Sequence, residues 1–305
     1  MSARDAGNSI SLRRSLFLRF SALATGCVAL LTLGYIMFGL QPVAERIARS
    51  HFNTSVEKVD SALSHLFKPA VAQLGISRKW AIDPGFDIDR PDDFNRLFKP
   101  VLQEFPQITS VVAGDTAGHG WLLLELPGGH WRNRLTDVPQ RGKVQHFIDW
   151  DAAGESVQRD EIIDYDARLR PWFTRAMSYP ADGNVYWTPP YTFFTTKDPG
   201  ITGSSRVDLP DGRSLVIGFD IKLLDISRIT AALAVGIRGS AMVISSDELL
   251  LGMPRTSRNT SDNAIRAAVL KPVAALGIAP VSDAVSQWRN MGRQTVAEFR
   301  YISSG

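Results

Sequence analysis

The segment Tyr165-Asp-Ala-Arg168-Leu-Arg170-Pro-Trp-Phe173 holds two arginines, three aromatic residues and an acid within nine positions of a 305-residue chain. Three later segments extend this group: Trp187-Thr-Pro-Pro-Tyr191, Gly200-Ile-Thr-Gly-Ser-Ser205 and Gly218-Phe-Asp220-Ile. Their apolar runs, interrupted by Gly and Pro, predict strands and turns. Two guanidinium groups, several aromatic rings and a carboxylate are therefore expected to lie together near strand ends.

These side chains suit the binding of a small molecule. Arg170 offers five N–H donors in a rigid fork, which suits a carboxylate or a phosphate. Asp220, at a strand end, can receive an ammonium or a hydroxyl group. Four aromatic side chains are expected to wall an apolar cleft: Tyr165, Trp172, Phe173 and Tyr191. The alternative is a buried Arg–Asp pair that joins a strand to a helix, with the aromatic rings as solid core.

Strand patterns surround this group, with Gly, Pro and Asp between them: Ile108–Ala113, Trp121–Leu126, Val144–Trp150, Ser204–Leu209 and Ser214–Phe219. A short helix is predicted around Asp93–Phe105, and the apolar stripe Leu223–Leu233 predicts another that ends at Gly236. A smaller β unit is expected from Ala241–Ser245 and Glu248–Leu251, followed by a helix around Asn263–Leu270. The predicted fold class is therefore α+β.

The order of these motifs resembles the double-Cache family of extracytoplasmic sensor domains. The resemblance rests on Tyr-Asp-x-Arg-x-Arg-Pro-Trp-(Tyr/Phe), a Trp…Pro-Tyr element, an Ile-Thr-x-Ser strand and a Gly-x-Asp-Ile strand, and it is strongest over residues 165–227. It implies a long N-terminal helix followed by two PAS-like α/β subdomains with antiparallel sheets, the second of them incomplete. It also implies that the membrane-distal subdomain binds a small ligand.

The resemblance also assigns pocket residues. Positions that line the pocket in amino-acid-binding members correspond here to Tyr165, Arg170, Trp172, Phe173, Tyr191 and Asp220. Two positions depart from the family pattern, because Phe173 lacks the hydroxyl of the family tyrosine and Phe193 replaces an acid. With one carboxylate left for an α-ammonium, the preferred ligand is a carboxylate-bearing molecule with an apolar or aromatic body.

The N-terminal part of the chain predicts a membrane anchor. Residues Phe20–Leu40 contain no charged side chain, and as a helix they would span about 32 Å at about 1.5 Å per residue, close to the roughly 30 Å bilayer core. Arg13, Arg14 and Arg19 precede this segment. The positive-inside rule therefore predicts a cytoplasmic N-terminus and an extracytoplasmic chain from about residue 41 onward, at the inner membrane. A cleaved signal peptide is the alternative, but its apolar core usually runs only about 7–15 residues.

A heptad-like stripe follows the apolar segment: Phe52, Val56, Val59, Leu63, Leu66 and Ala70. The stripe predicts a stalk helix that either pairs with a second copy in a homodimer or packs on its own domain. Pro69 predicts a kink or a stop near Leu66. The predicted domains are a basic tail (1–19), a transmembrane helix (20–40), the stalk (43–76), a membrane-distal Cache subdomain (77–235) and a partial membrane-proximal one (236–305).

Charge and cysteine content exclude several functions. The net charge is +3, but residues 1–20 hold four arginines and one aspartate, which leaves 30 basic and 30 acidic residues in the rest. A balanced body is not expected to bind nucleic acid. The single cysteine, Cys27, cannot form an intrachain disulfide, and the five histidines show no metal-ligand spacing. No catalytic residue, metal or cofactor is predicted.

Two other functional classes stay open at this point. A membrane-anchored periplasmic hydrolase would need a nucleophile–base pair or a metal site, and the sequence offers no motif for either. A dimerisation domain without a ligand would use the pocket aromatics as core. The sequence stops at Gly305 directly after the strand-like Thr295–Ile302. By the resemblance, we expect a second transmembrane helix and an output domain, such as a cyclase or a kinase, beyond it.

Overall fold

A computed structural model describes residues 6–83, 90–232, 241–253 and 261–293. The fold is mixed α/β, with an apolar N-terminal helix, a long helix and then an antiparallel sheet. The chain divides into two compact units, Met1–Glu57 and Lys58–Gly305. The first unit contains helix α1 (Ala6–Gly34), a π-helical segment (Tyr35–Leu40) and the beginning of helix α2 (Gln41–Ala81).

Helix α2 runs through Pro69, so the predicted stop near Leu66 is wrong. Proline removes one backbone donor and usually interrupts a helix. Here Leu66, Ala70 and Leu74 lie on both sides of Pro69 and are buried in the core of the second unit. Packing of this apolar face therefore maintains the helix across the proline.

The centre of the second unit is a nine-stranded antiparallel sheet with the order β5-β4-β3-β2-β1-β9-β8-β6, in which β7 also pairs with β8. The strands are β1 (Ser110–Asp115), β2 (His119–Leu126), β3 (His130–Asp137), β4 (Val144–Trp150), β5 (Ser156–Ile162), β6 (Tyr186–Trp187), β7 (Tyr191–Thr192), β8 (Pro199–Asp208) and β9 (Ser214–Lys222). The five predicted strands, which Gly, Pro and Asp separate in the sequence, correspond to β1, β2, β4, β8 and β9. The sequence did not predict β3 and β5, because polar residues dominate both.

Helices cover the two faces of the sheet. On one face, α2 and α3 (Pro91–Glu104) pack through Leu74, Phe94 and Phe98 against the sheet residues Leu123 and Phe219. On the other face lie a short α4 (Val138–Arg141), a 3₁₀ turn (Ala167–Leu169) and α5 (Pro171–Met177). A second apolar cluster there joins the motif segment to strands β1, β2 and β9 through Val112, Leu122 and Val216.

A smaller C-terminal part follows strand β9 without a break. Helix α6 (Leu223–Ala232) begins at the residue after β9. The predicted small β unit is present as β10 (Val243–Ile244) and β11 (Leu250–Gly252), and the predicted helix as α7 (Asp262–Ala268). A 3₁₀ turn (Val273–Leu276) and α8 (Ala279–Asn290) complete it. The predicted helix end at Gly236 and the strand-like Thr295–Ile302 lie outside the described residues.

Candidate ligand-binding site

Four strands bring polar side chains to one face of the sheet. Ser110 on β1 and Thr202 on β8 lie in register on either side of Asp220 on β9. The Thr202 hydroxyl donates a 2.5 Å hydrogen bond to one oxygen of Asp220, and the Ser110 hydroxyl donates a 2.6 Å bond to the other. Tyr191 lies 2.6 Å, oxygen to oxygen, from Thr202. Because the Thr202 proton points to Asp220, the Tyr191 hydroxyl donates to Thr202.

The motif segment lies over this face and is fixed by local hydrogen bonds. Asp166 accepts from the Arg168 backbone N–H at 2.9 Å and so caps the 3₁₀ turn. Pro171 begins α5, where its missing N–H costs nothing. The buried Gln145 side chain on β4 donates to the Tyr165 carbonyl at 3.4 Å. The Tyr165 ring is therefore held at the edge of the polar cluster.

A glycine permits this close approach of the segment to the sheet. A Cβ at Gly114 on β1 would lie 2.7 Å from the Ala167 Cβ and 3.2 Å from the Trp172 ring. The Ser204 hydroxyl also donates to the Trp172 carbonyl at 2.9 Å. Trp172 and Phe173 are both buried in the apolar cluster. The rings of Trp172 and Phe173 therefore pack the motif segment against the sheet.

The two arginines of the motif have different surroundings. Arg168 forms a salt bridge with Asp166, with 2.7 Å between Nη2 and Oδ2, so its charge is compensated locally. The half-buried Arg170 guanidinium makes no hydrogen bond or ion pair with any described residue. It lies 6.0 Å from the Tyr165 ring centroid, 6.0 Å from that of Tyr191 and 5.4 Å from that of Phe194. Arg170 is therefore the motif arginine whose guanidinium N–H donors have no partner among the described residues.

A third arginine, which the sequence did not identify, belongs to the same cluster. Arg134 on β3 is 3% exposed, and its guanidinium carbon lies 3.6 Å from the Tyr165 ring centroid. Its Nη1 donates to the Thr195 hydroxyl at 2.8 Å, but its Nε has no hydrogen-bond partner among the described residues. The alternation of Arg132 and Arg134 with Trp131 and Leu135 is the signal in the sequence that could have identified a strand here.

The loop between β7 and β8 completes the cluster. Phe194 lies 4.9 Å from Tyr165, centroid to centroid, and the Lys197 ammonium is 4.5 Å from the Phe194 centroid. Phe193, which replaces the family acid, is buried, and its ring occupies the space where a Cβ of Gly200 would lie. At the end of the loop, the buried Asp198 forms ion pairs with Lys222 and with Arg266 of α7.

Burial determines the electrostatics of the cluster. Burial raises the pKa of Asp220 to about 6, although the bonds from Ser110 and Thr202 and the charges of Arg134 and Arg170 oppose this. Burial also raises the pKa of Tyr165 and lowers that of Arg134. The cluster therefore combines two arginines with a carboxyl group whose pKa lies well above that of an exposed aspartate.

The structure brings four of the six predicted residues into one polar cluster: Tyr165, Arg170, Tyr191 and Asp220. The other two, Trp172 and Phe173, lie in the apolar layer that supports it. Arg170 and Asp220 form no ion pair with each other, whereas the burial of Trp172 and Phe173 agrees with the part of the alternative that assigns aromatic rings to the core. Among the described residues, no group of three or more His, Cys, Asp or Glu side chains is arranged to hold a metal ion.

The fold is similar to that of ligand-binding domains of bacterial chemoreceptors. The ligand-binding domain of Campylobacter jejuni chemoreceptor Tlp3 in complex with L-norvaline matches with a TM-score of 0.51 at 14% identity, over 82% of this chain and 81% of that one. The same domain in complex with L-valine matches with a TM-score of 0.50 at 15% identity, over 82% and 83%. The ligand-binding domain of Pseudomonas fluorescens chemoreceptor CtaA in complex with L-serine gives 0.49 at 16% identity, over 76% and 79%.

No protein-family model matches the sequence, and neither does any curated protein. The similarity therefore concerns the fold, and at that level it confirms the resemblance to double-Cache sensor domains. The structural neighbours are sensor domains and not enzymes.

Proposed function

We propose that this chain is a membrane-anchored extracytoplasmic sensor domain that binds a small carboxylate-bearing molecule through Arg170. The observation that carries the proposal is the half-buried Arg170 guanidinium, which has aromatic neighbours and no hydrogen-bonding partner among the described residues. A partly buried guanidinium is stabilised when an anion accepts its hydrogen bonds. A ligand carboxylate would supply that acceptor.

The other predicted residues have roles that follow from their positions. Tyr165 and Tyr191 would contact the ligand beside Arg170, and Trp172 and Phe173 would hold the segment against the sheet. Asp220 would orient the hydroxyls of Thr202 and Ser110. The two Tlp3 structures contain L-norvaline and L-valine. We propose that the ligand of this chain shares the carboxylate of these amino acids. In this chain the position of the family acid is Phe193, which favours a ligand without an ammonium group.

The ligand signal would leave the site through strand β9. Asp220 lies two residues before the end of this strand, and α6 follows directly. On α6, the Thr230 hydroxyl lies 3.3 Å from the carbonyl of Met253, and a Cβ at Gly252 would lie 2.9 Å from Ile226. A shift of β9 therefore changes the packing of the C-terminal part. The ligand can shift the equilibrium between two packing arrangements of the C-terminal part only by the difference between its affinities for them.

Membrane anchoring is the second part of the proposal. One described helix region, Arg14–Gly39, is long and apolar enough to cross a membrane, and the arginines at its N-terminal end, Arg13, Arg14 and Arg19, favour a cytoplasmic N-terminus. Pairing of two copies belongs to the same proposal. Because Leu66 and Ala70 pack on the chain's own core, pairing would use the earlier part of α2, where Val43 and Ile47 are exposed. The domain boundaries stay as predicted from the sequence.

The topology is tested by fusing alkaline phosphatase, which is active only outside the cytoplasm, after Gly305 in bacteria. We expect an active fusion, and an inactive fusion after Arg14 as the control. Release of an active soluble product that lacks the first 40 residues would contradict the uncleaved anchor.

Ligand binding is tested by calorimetric titration of the full chain in detergent micelles. The probes are butyrate, phenylacetate and L-norvaline, and the controls are butyramide and phenylacetamide, which keep the shape but lack the carboxylate. We expect at least one carboxylate to bind with a Kd below about 1 mM, near −4 kcal/mol, and its amide not to bind. Equal binding of acid and amide would contradict a site built on Arg170.

A further inference from the structure

We propose that Arg134 is a second carboxylate-binding residue, so that the site selects a small dicarboxylate over a monocarboxylate. This inference rests on the proposed binding of a carboxylate by Arg170. The observation behind it is separate, because Arg134 comes from the core strand β3 and not from the motif segment.

The first step concerns the Nε–H group of Arg134, which has no hydrogen-bond acceptor among the described residues. The Arg134 side chain is buried. A buried donor without an acceptor is costly, and native structures contain few of them. The Tyr165 ring centroid lies 3.6 Å from the guanidinium carbon and the Tyr165 hydroxyl also interacts with the guanidinium, but neither satisfies Nε. A ligand oxygen would satisfy the donor.

The second step concerns the charge around Phe194. Three cationic groups lie within 6 Å of its ring centroid: Arg134 at 5.5 Å, Arg170 at 5.4 Å and Lys197 at 4.5 Å. No described residue forms an ion pair with any of the three. The charge of Asp220 acts on both arginines, but hydroxyl groups already occupy both of its oxygens. A ligand with two negative charges compensates this excess better than a ligand with one.

The third step concerns geometry. The two guanidiniums share the rings of Tyr165 and Phe194, yet they reach the cluster from different elements, β3 and the N-terminus of α5. Arg134 is close to the Tyr165 ring at 3.6 Å, whereas Arg170 is 6.0 Å from it. Two guanidinium groups on different elements suit a ligand with two carboxylates on a short linker, so that each guanidinium binds one carboxylate.

Matched pairs of ligands test the proposal by calorimetry on the full chain in detergent micelles. Succinate is compared with butyrate, and L-aspartate with L-2-aminobutyrate, so that each pair differs by one carboxylate. We expect the dicarboxylate of at least one pair to bind about tenfold or more tightly than its partner. A Kd ratio near one in both pairs, with measurable binding of the monocarboxylates, would overturn the inference and leave the proposed function intact.

Variants assign the preference to Arg134. In Arg134→Met the ratio is expected to fall to about one, and Arg134→Lys is expected to keep an intermediate ratio and covers the case in which the methionine variant does not fold. The control is Arg132→Met, two residues earlier on the same strand, because Arg132 is fully paired with Asp149 at 2.6 and 2.8 Å. An unchanged ratio in folded Arg134→Met or Arg134→Lys would overturn the assignment. If none of the four ligands binds the folded wild-type chain, this inference is overturned; the proposed function is overturned as well if phenylacetate and L-norvaline also fail to bind.

Discussion

Replacement of Arg170 by alanine is expected to weaken the binding of a carboxylate ligand by about 30- to 150-fold. A bidentate, charge-assisted contact contributes about 2–3 kcal/mol, which corresponds to that range of Kd. The free energy of unfolding should fall only slightly, because Arg170 makes no hydrogen bond or ion pair with any described residue. Calorimetry with the tightest carboxylate ligand measures the loss, and thermal unfolding checks that the variant folds.

Arg168→Ala is the matched control, since Arg168 belongs to the same motif but is already paired with Asp166. We expect its ligand Kd to stay within about threefold of wild type. Its stability should fall slightly, because the guanidinium also packs on Gly118, 3.1 Å from where a Cβ would lie. If Arg168→Ala lost binding and Arg170→Ala kept it, the roles of the two arginines would be reversed from those proposed.

Replacement of Asp220 by asparagine is expected to change how stability depends on pH. Burial raises the pKa of Asp220 from 3.8 to about 6 in the folded chain. The folded state therefore keeps the proton at pH values where the unfolded state has lost it, so this group lowers the free energy of unfolding as pH rises from about 4 to 6. A shift of this size corresponds to about 3 kcal/mol. Asparagine stays neutral, so its stability relative to wild type should increase by about 2–3 kcal/mol between pH 4 and pH 7.

Urea unfolding of both proteins at several pH values, followed by tryptophan fluorescence, measures this difference. Asp149→Asn is the control, because hydrogen bonds from Arg132 and Arg159 lower the pKa of Asp149. For that variant, stability relative to wild type should stay level or fall as pH rises over the same range. A pH-independent difference for Asp220→Asn would show that Asp220 titrates normally and is not buried in the way described.

The sequence predicted the strands with apolar side chains and missed a strand that carries polar side chains into the site. Strands β1, β2 and β9 carry apolar runs that are buried on both faces of the sheet, and their patterns predicted them. Strand β3, His130–Asp137, carries Arg134 toward the site, whereas on the other face Asn133 exchanges 2.8 Å hydrogen bonds with Asn95 of α3. Because Asn133 places a polar side chain between Trp131 and Leu135, the alternating pattern of a half-buried strand is weakened in the sequence of β3. The sequence therefore failed to predict the strand that carries Arg134, the site residue that it also failed to identify.

Local chemistry also determined part of the candidate site. The spacing of Tyr165, Arg170 and Trp172 follows from a capped turn and a proline-initiated helix, which a short segment encodes by itself. The sequence could not distinguish the two arginines of that segment. Their difference depends on where the segment lies on the sheet, since Arg168 turns back to Asp166 while Arg170 faces the aromatic rings.

The sequence by itself determined the apolar N-terminal helix, the long second helix, most of the sheet and the resemblance to a sensor domain, because each depends on a periodic or contiguous pattern. Tertiary structure alone decided that Ser110, Arg134, Thr202 and Asp220 meet on one face. These residues come from four strands, and their meeting depends on strand order and register. A contact between distant strands leaves no local pattern, since it is the pairing of the whole sheet that selects it.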